Sequence, residues 1–192
     1  VFHREASQLI ASVEGLLAGG KMPAIKERIS FDELGISCSG NIDRLYPEGQ
    51  LFFRCASVKA KDMLEAWINH LFWNYASPAE TNRSTHLVGS NQSLRFSELK
   101  EDEAYSELKN LCRLFQAGLA SPLRFFPESS LAYAEATMEK DQPHEKGLAA
   151  ASNKWLSGWY PGEIEDPYLG TCFNDEALQT HEFGQIASAV YG

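Results

Sequence analysis

The sequence predicts a mixed α/β fold with a central sheet flanked by helices. Three observations predict it. Short alternating stretches near residues 34–54 and 85–96 have strand character. Residues 59–75 and 101–117 carry wide apolar stripes at helical spacing. The order is helix, three-strand meander, helix, two strands, helices, which is not a regular βαβ repeat. With 192 residues, 44% of them hydrophobic, and 11 Phe, 7 Tyr and 4 Trp, the chain can bury a sizeable core.

Residues 5–18 place Leu9, Ile10, Val13, Leu16 and Leu17 at helical spacing, and Gly19-Gly20 stops that helix. Residues 21–35 read as an irregular, partly basic stretch around Pro23. Residues 34–38 and 40–46 alternate as strands, with Ile36, Cys38, Ile42 and Leu45 inward. Pro47-Glu48-Gly49 makes the turn, because Pro fixes φ and Gly accepts a positive one. Residues 50–54 return as a strand whose Leu51-Phe52-Phe53 run predicts cover on both faces. In the helix over 59–75, Met63, Leu64, Trp67, Ile68, Leu71 and Phe72 form the inward stripe. Pro78 and Glu80-Thr81-Asn82-Arg83 mark a loop, and Thr85–Val88 and Ser93–Phe96 form two strands around Gly89-Ser90-Asn91. The helix over 101–117 turns Tyr105, Leu108, Leu111, Cys112 and Phe115 inward and ends at Gly118.

After the extended segment Ser121–Pro127, Ser129 or Ser130 caps a helix to about Lys140. Pro143 and Gly147 separate it from another over about 148–159. Residues 160–174 are loop-rich, and Asp175 caps a last helix reaching Val190. The whole is read as one domain, with a core over about 1–125 and a helical C-terminal extension over about 126–192. The chain starts at Val1 in a helical pattern, which reads as a domain excised from a longer protein.

The net charge of −9 opposes a free-standing DNA-binding domain. Its distribution is uneven. Residues 1–96 carry 10 acids and 10 bases, whereas 97–192 carry 16 acids against 7 bases. Any polyanion contact therefore belongs to the first half, among Lys21, Lys26, Arg28, Arg44, Arg54, Lys59 and Lys61. No apolar run approaches the roughly 20 residues that span a bilayer. Cys38, Cys55, Cys112 and Cys172 lack zinc spacing, and the first three fall in apolar patterns. They read as buried free thiols in a reducing, cytoplasmic setting. The five isolated histidines offer no metal cluster. Phosphate loops, serine-nucleophile elbows and HExxH zinc motifs are absent.

One frame does carry chemistry. A strand containing Asp43, a hairpin, a strand ending Phe53-Arg54-Cys55-Ala56-Ser57 and then a long helix resemble the core of PD-(D/E)xK nucleases. A metal-dependent nuclease needs clustered carboxylates for Mg²⁺ and a lysine to position water and stabilise charge at the phosphate. Asp43 matches the first carboxylate. Where such a nuclease reads Asp-x-Lys, this chain reads Arg54-x-Ala56. The frame is therefore read as a catalytically degenerate site at Asp43, Arg54 and Ala56, with no catalytic residue and no metal or other cofactor. The simpler reading of Asp43 is a polar residue at the exposed end of a strand, paired with Arg54 or Lys59.

The chain also resembles a narrower family, the C-terminal part of the gamma subunit of exodeoxyribonuclease V (RecC). Three segments carry the resemblance in order: Arg54–Ala76, Ser121-Pro-Leu-Arg-Phe-Phe-Pro-Glu-Ser129, and Gly147–Trp159 followed by Gly162–Tyr168. The resemblance implies a nuclease-like fold without its active site, placed in a heterotrimer with a RecB-like beta and a RecD-like alpha subunit. It implies work on a double-stranded DNA end within that complex, in break repair and recombination. Arg44, Arg54, Lys59 and Lys61 are the DNA-contact candidates. Trp155, Trp159, Tyr160 and Tyr168 are candidates for partner contacts or a wedge between bases, unless they pack in the core. Two other readings compete. One is an active Mg²⁺ nuclease in which Lys59 or Lys61 replaces the lost lysine, and the other is a structural domain that touches only protein.

Overall fold

The computed structural model describes residues 2–78, 81–138, 144–156 and 158–192, with side chains from Ile10 onward. The side chains of His3 and Leu9, and residues Val1, Glu80, Lys140, Pro143 and Ser157, lie outside the described residues. The fold is mixed α/β with two small sheets. The chain divides into two compact units, Val1–Arg113 and Leu114–Gly192.

The first unit opens with helix α1 (Phe2–Leu17), which buries Val13 against Leu51 and Val88. Strands β1 (Ile25–Phe31) and β2 (Ile36–Ile42) then form an antiparallel ribbon with Ile29 opposite Cys38 and Phe31 opposite Ile36. The stretch expected to be irregular thus contains a strand of 7 residues. Glu27 occupies the inward parity between Ile25 and Ile29, and that charge interrupts the alternation. Of the two strands expected over 34–38 and 40–46, β2 joins the parts from Ile36 to Ile42 through Gly40, Leu45-Tyr46 form a separate short strand, and Leu34 belongs to a 3₁₀ turn (Asp32–Leu34).

Strands β3 (Leu45–Tyr46) and β4 (Gly49–Phe53) form the hairpin around Pro47-Glu48. Strand β5 (Thr85–Val88) runs parallel to β4, and β6 (Ser93–Phe96) runs antiparallel to β5. A parallel pair needs a crossover, and helix α2 (Ala60–Ala76) supplies it. Leu51 and Phe52 on β4 are buried as expected, and Gln50 is buried with them, but Phe53 is half exposed because it ends the strand.

Ile29, Phe31, Ile42 and Leu45 pack with Leu71, Phe72 and Trp73 of α2 and with Ala104, Leu108 and Cys112 of helix α3 (Glu101–Ala120). Phe115, expected inward, is exposed, since the core it would join ends at Cys112. Gly118 does not end α3, which continues to Ala120; a single glycine costs a helix only about 1 kcal/mol.

The second unit is helical: α4 (Pro127–Met138), α5 (His144–Trp155), α6 (Leu169–Cys172) and α7 (His181–Tyr191). Phe126, Tyr133, Ala151, Trp155, Leu178, Phe183 and Ala187 form its core. Pro127 opens α4, so Ser129 and Ser130 lie inside the helix and buried rather than at its cap. Helix α5 begins at His144, four residues before the expected start. Thr180, not Asp175, caps α7, its hydroxyl accepting from the Phe183 N–H at 3.3 Å. Trp155 is not an exposed wedge: it is fully buried, with its ring 4.2 Å from Phe126 and its indole N–H donating to the Asn174 carbonyl. Among the described residues no helix is long and apolar enough to cross a membrane.

Candidate functional site

The candidate site lies where the β3–β4 hairpin meets the start of α2. Asp43 is in the link between β2 and β3 rather than on a strand. Two bonds fix its backbone neighbourhood: Gln50 Nε2 donates to the Asp43 carbonyl at 3.0 Å, and the Leu51 N–H donates to the Arg44 carbonyl at 3.0 Å. Arg44 takes a φ of +59, the left-handed region that non-glycine residues rarely occupy. That backbone sends its guanidinium over the Phe52 ring, 4.6 Å from the centroid. There it lies 3.7 Å from the Asp43 carboxylate and 3.4 Å from Glu65 on α2.

Arg54, one residue past β4, is paired with Asp62 in the first turn of α2. The same Asp62 oxygen accepts from the Lys59 N–H at 2.8 Å and so also ties down the helix start. Asp43 thus pairs with Arg44, not with Arg54 or Lys59. Ala56 contributes no functional group; its carbonyl accepts from the Ser90 N–H. Lys59 and Lys61 are exposed at the N-terminus of α2. Two acids that sequence reasoning did not place here, Glu65 and Asp62, are each answered by an arginine. Their signal was positional, since the first turns of α2 stack beside the hairpin once β4 and β5 pair in parallel.

Behind the hairpin runs a buried polar string. His70 Nδ1 lies 2.9 Å from Thr85 Oγ1, which donates to Gln50 Oε1 at 3.3 Å. Gln50 then reaches Asp43 through its amide. Asn74 completes the packing below, accepting from the Leu99 N–H and donating to the Arg83 carbonyl. Burial is the main force that pushes the His70 pKa down to about 4, helped by the charge of Arg83. The imidazole is fully buried and meets Thr85 of β5 from α2.

A second surface in this unit gathers two of the basic residues named from the sequence, Lys26 and Arg28, on one strand face. The outward face of the β1–β2 ribbon carries Lys26, Arg28 and Ser30 opposite Asn41, Ser39 and Ser37, all exposed. Arg28 donates to the Ser37 hydroxyl at 2.9 Å. The alternation of Lys26, Arg28 and Ser30 is the sequence signal for this face, masked by Glu27 at the inward parity of β1. In the second unit Trp159, Tyr160 and Tyr168 are almost fully exposed. The thiols divide as well: Cys112 is buried and Cys38 half-buried, but Cys55, expected inside, is exposed because β4 ends before it. Among the described residues no group of three His, Cys, Asp or Glu is arranged to hold a metal ion.

A family model described as the RecC C-terminal domain matches residues 2–138. The chain belongs to the RecC C-terminal domain family. RecC is a subunit of exodeoxyribonuclease V, so membership implies a place in a RecBCD-like multi-subunit complex. The RecC match takes in everything from α1 to α4, including Asp43, Arg44, Arg54, Ala56, Lys59 and Lys61. The exposed aromatics Trp159, Tyr160 and Tyr168 lie beyond it. No curated protein matches the chain.

Proposed function

We propose that this domain is a non-catalytic scaffold that guides DNA within a RecBCD-like helicase–nuclease acting on double-strand breaks, with RecB-like and RecD-like subunits as its partners. The observation that carries this reading is the occupancy of the acids in the PD-(D/E)xK-like frame. The Arg44 guanidinium lies between Asp43 and Glu65, and the Arg54 guanidinium is spent on Asp62. In a working nuclease of that type the cation between the carboxylates is Mg²⁺, held by oxygen ligands at fixed geometry. Here arginine side chains take that electrostatic role. They satisfy the acids and leave no lysine aimed at a phosphate from Ala56. On this reading the fold has kept the nuclease frame and converted its catalytic end into structural ion pairs.

Lys59 and Lys61 are the proposed DNA contacts, being exposed at the start of α2. The test uses the assembled complex and a blunt duplex end. The double variant Lys59→Glu, Lys61→Glu is expected to weaken end binding about tenfold or more and to reduce the salt slope by about 2. Unchanged binding would favour a domain that touches only protein. A companion titration of Mg²⁺ into the chain and into its Asp43→Ala variant is expected to show no binding heat in either. Heat that vanishes in the variant would support the active-nuclease reading.

A further inference from the structure

Cys38 on β2 and Cys112 on α3 stand 74 positions apart in sequence with their Sγ atoms 3.2 Å from one another. Both belong to the main core of the first unit, Cys112 as a buried member and Cys38 as a partly buried neighbour. Closing that gap to a disulfide, about 2.05 Å, needs the sulfurs to move by little more than an ångström. The other two thiols, Cys55 and Cys172, are exposed and free. We propose that Cys38 and Cys112 form a reversible redox site that closes into an intramolecular disulfide with a small-molecule disulfide of the glutathione type as oxidant, tying the β1–β2 ribbon to α3.

The exchange balances in two steps. The Cys38 thiolate, the more accessible of the pair, attacks one sulfur of oxidised glutathione. The glutathione S–S bond breaks and one glutathione leaves as thiolate. The Cys112 sulfur then attacks Cys38 Sγ in the mixed disulfide, the Cys38–glutathione bond breaks, and the second glutathione departs carrying the Cys112 proton. Two protein thiols are oxidised and one small disulfide is reduced to two thiols. Burial, with the hydrogen bond to Cys38 second, pushes the Cys112 thiol up to about 12. The second step is therefore slow at neutral pH and quickens in alkali, and the reduced pair is the resting state under reducing conditions.

The readout is non-reducing peptide mapping of the intact chain after equilibration in graded ratios of oxidised to reduced glutathione, quenched in acid and alkylated after unfolding. The expected result is a linked Cys38–Cys112 peptide with loss of two hydrogens. Cys55 and Cys172 in the same sample should carry glutathione adducts. The linked form should melt higher than the reduced chain and return to it on addition of dithiothreitol. In Cys112→Ala, checked for folding by circular dichroism, Cys38 is expected to stop at the glutathione adduct. A wild-type chain in which Cys38 keeps its adduct, or in which Cys112 remains fully alkylatable at the most oxidising ratio, would overturn the proposal. The wild-type map needs no variant to fold, so failure of Cys112→Ala alone would not rescue it.

Discussion

Gly49 sits at φ +115, and a Cβ there would run into the Ser84 carbonyl and lie 2.8 Å from its hydroxyl. Both the backbone and the space demand glycine, so Gly49→Ala is expected to cost about 2 kcal/mol or more, read as a lowered denaturant midpoint. This much was visible in the Pro47-Glu48-Gly49 turn. Arg44 was not, because nothing in a sequence marks an arginine that will adopt a left-handed backbone and fold over Phe52. His70 was likewise read only as an isolated histidine. Its burial makes a pH prediction with a definite sign. The folded pKa of about 4 lies below the ordinary 6.5, so the unfolded chain binds the proton more readily between those values. Stability is fully present above about 6.5 and declines as pH falls toward 4, by up to about 3 kcal/mol. His70→Gln is expected to flatten that slope in chemical unfolding measured across the same range.

At the scale of elements, the helix α4 start is completed from a distance. The Glu163 carboxylate accepts from the Glu128 and Ser129 N–H groups at 3.0 and 2.8 Å and from the Ser129 hydroxyl at 2.6 Å. Charged acceptors at a helix N-terminus answer donors that the helix cannot satisfy itself. Glu163→Ala should therefore lower stability by about 1–3 kcal/mol, with Glu163→Gln losing less, and thermal unfolding reads both. No pattern in the sequence could connect residue 163 to residue 129, which is why a serine looked like the cap. Elements with uninterrupted periodicity were legible: α2, α3, β5 and β6 lie within a few residues of where the apolar spacing put them. Those that failed did so for local reasons. A charged residue in the inward parity concealed β1, and an expected break between Cys38 and Gly40 split what is the single strand β2.

For the whole molecule, the two units carry separate cores, one built on Phe31, Leu71 and Trp73 and the other on Phe126, Trp155 and Phe183. Separate cores predict departure from a single cooperative transition. Trp155→Ala empties the centre of the second core and is expected to lower the transition of that unit by the equivalent of about 3–5 kcal/mol, leaving the first in place. Scanning calorimetry would resolve the two, and one undivided shift would mean that the cores unfold together. The charge is divided unevenly between the units: the first, with 15 acids and 13 bases, is nearly neutral and holds the candidate DNA contacts, whereas the second, with 11 acids against 4 bases, is acidic and holds Trp159, Tyr160 and Tyr168.

The long-range cap on α4 has a consequence in time. A chain made from its N-terminus outward finishes α4 before Glu163 exists, and α5 and α7, which pack against α4, also come later. During synthesis α4 must wait with its first amides hydrated and Tyr133 uncovered. The first unit, whose β4–α2–β5 crossover is already complete, can settle without it. Synthesis thus orders the assembly: the first unit is complete first, and the helical unit closes only after residue 163 and α7 arrive.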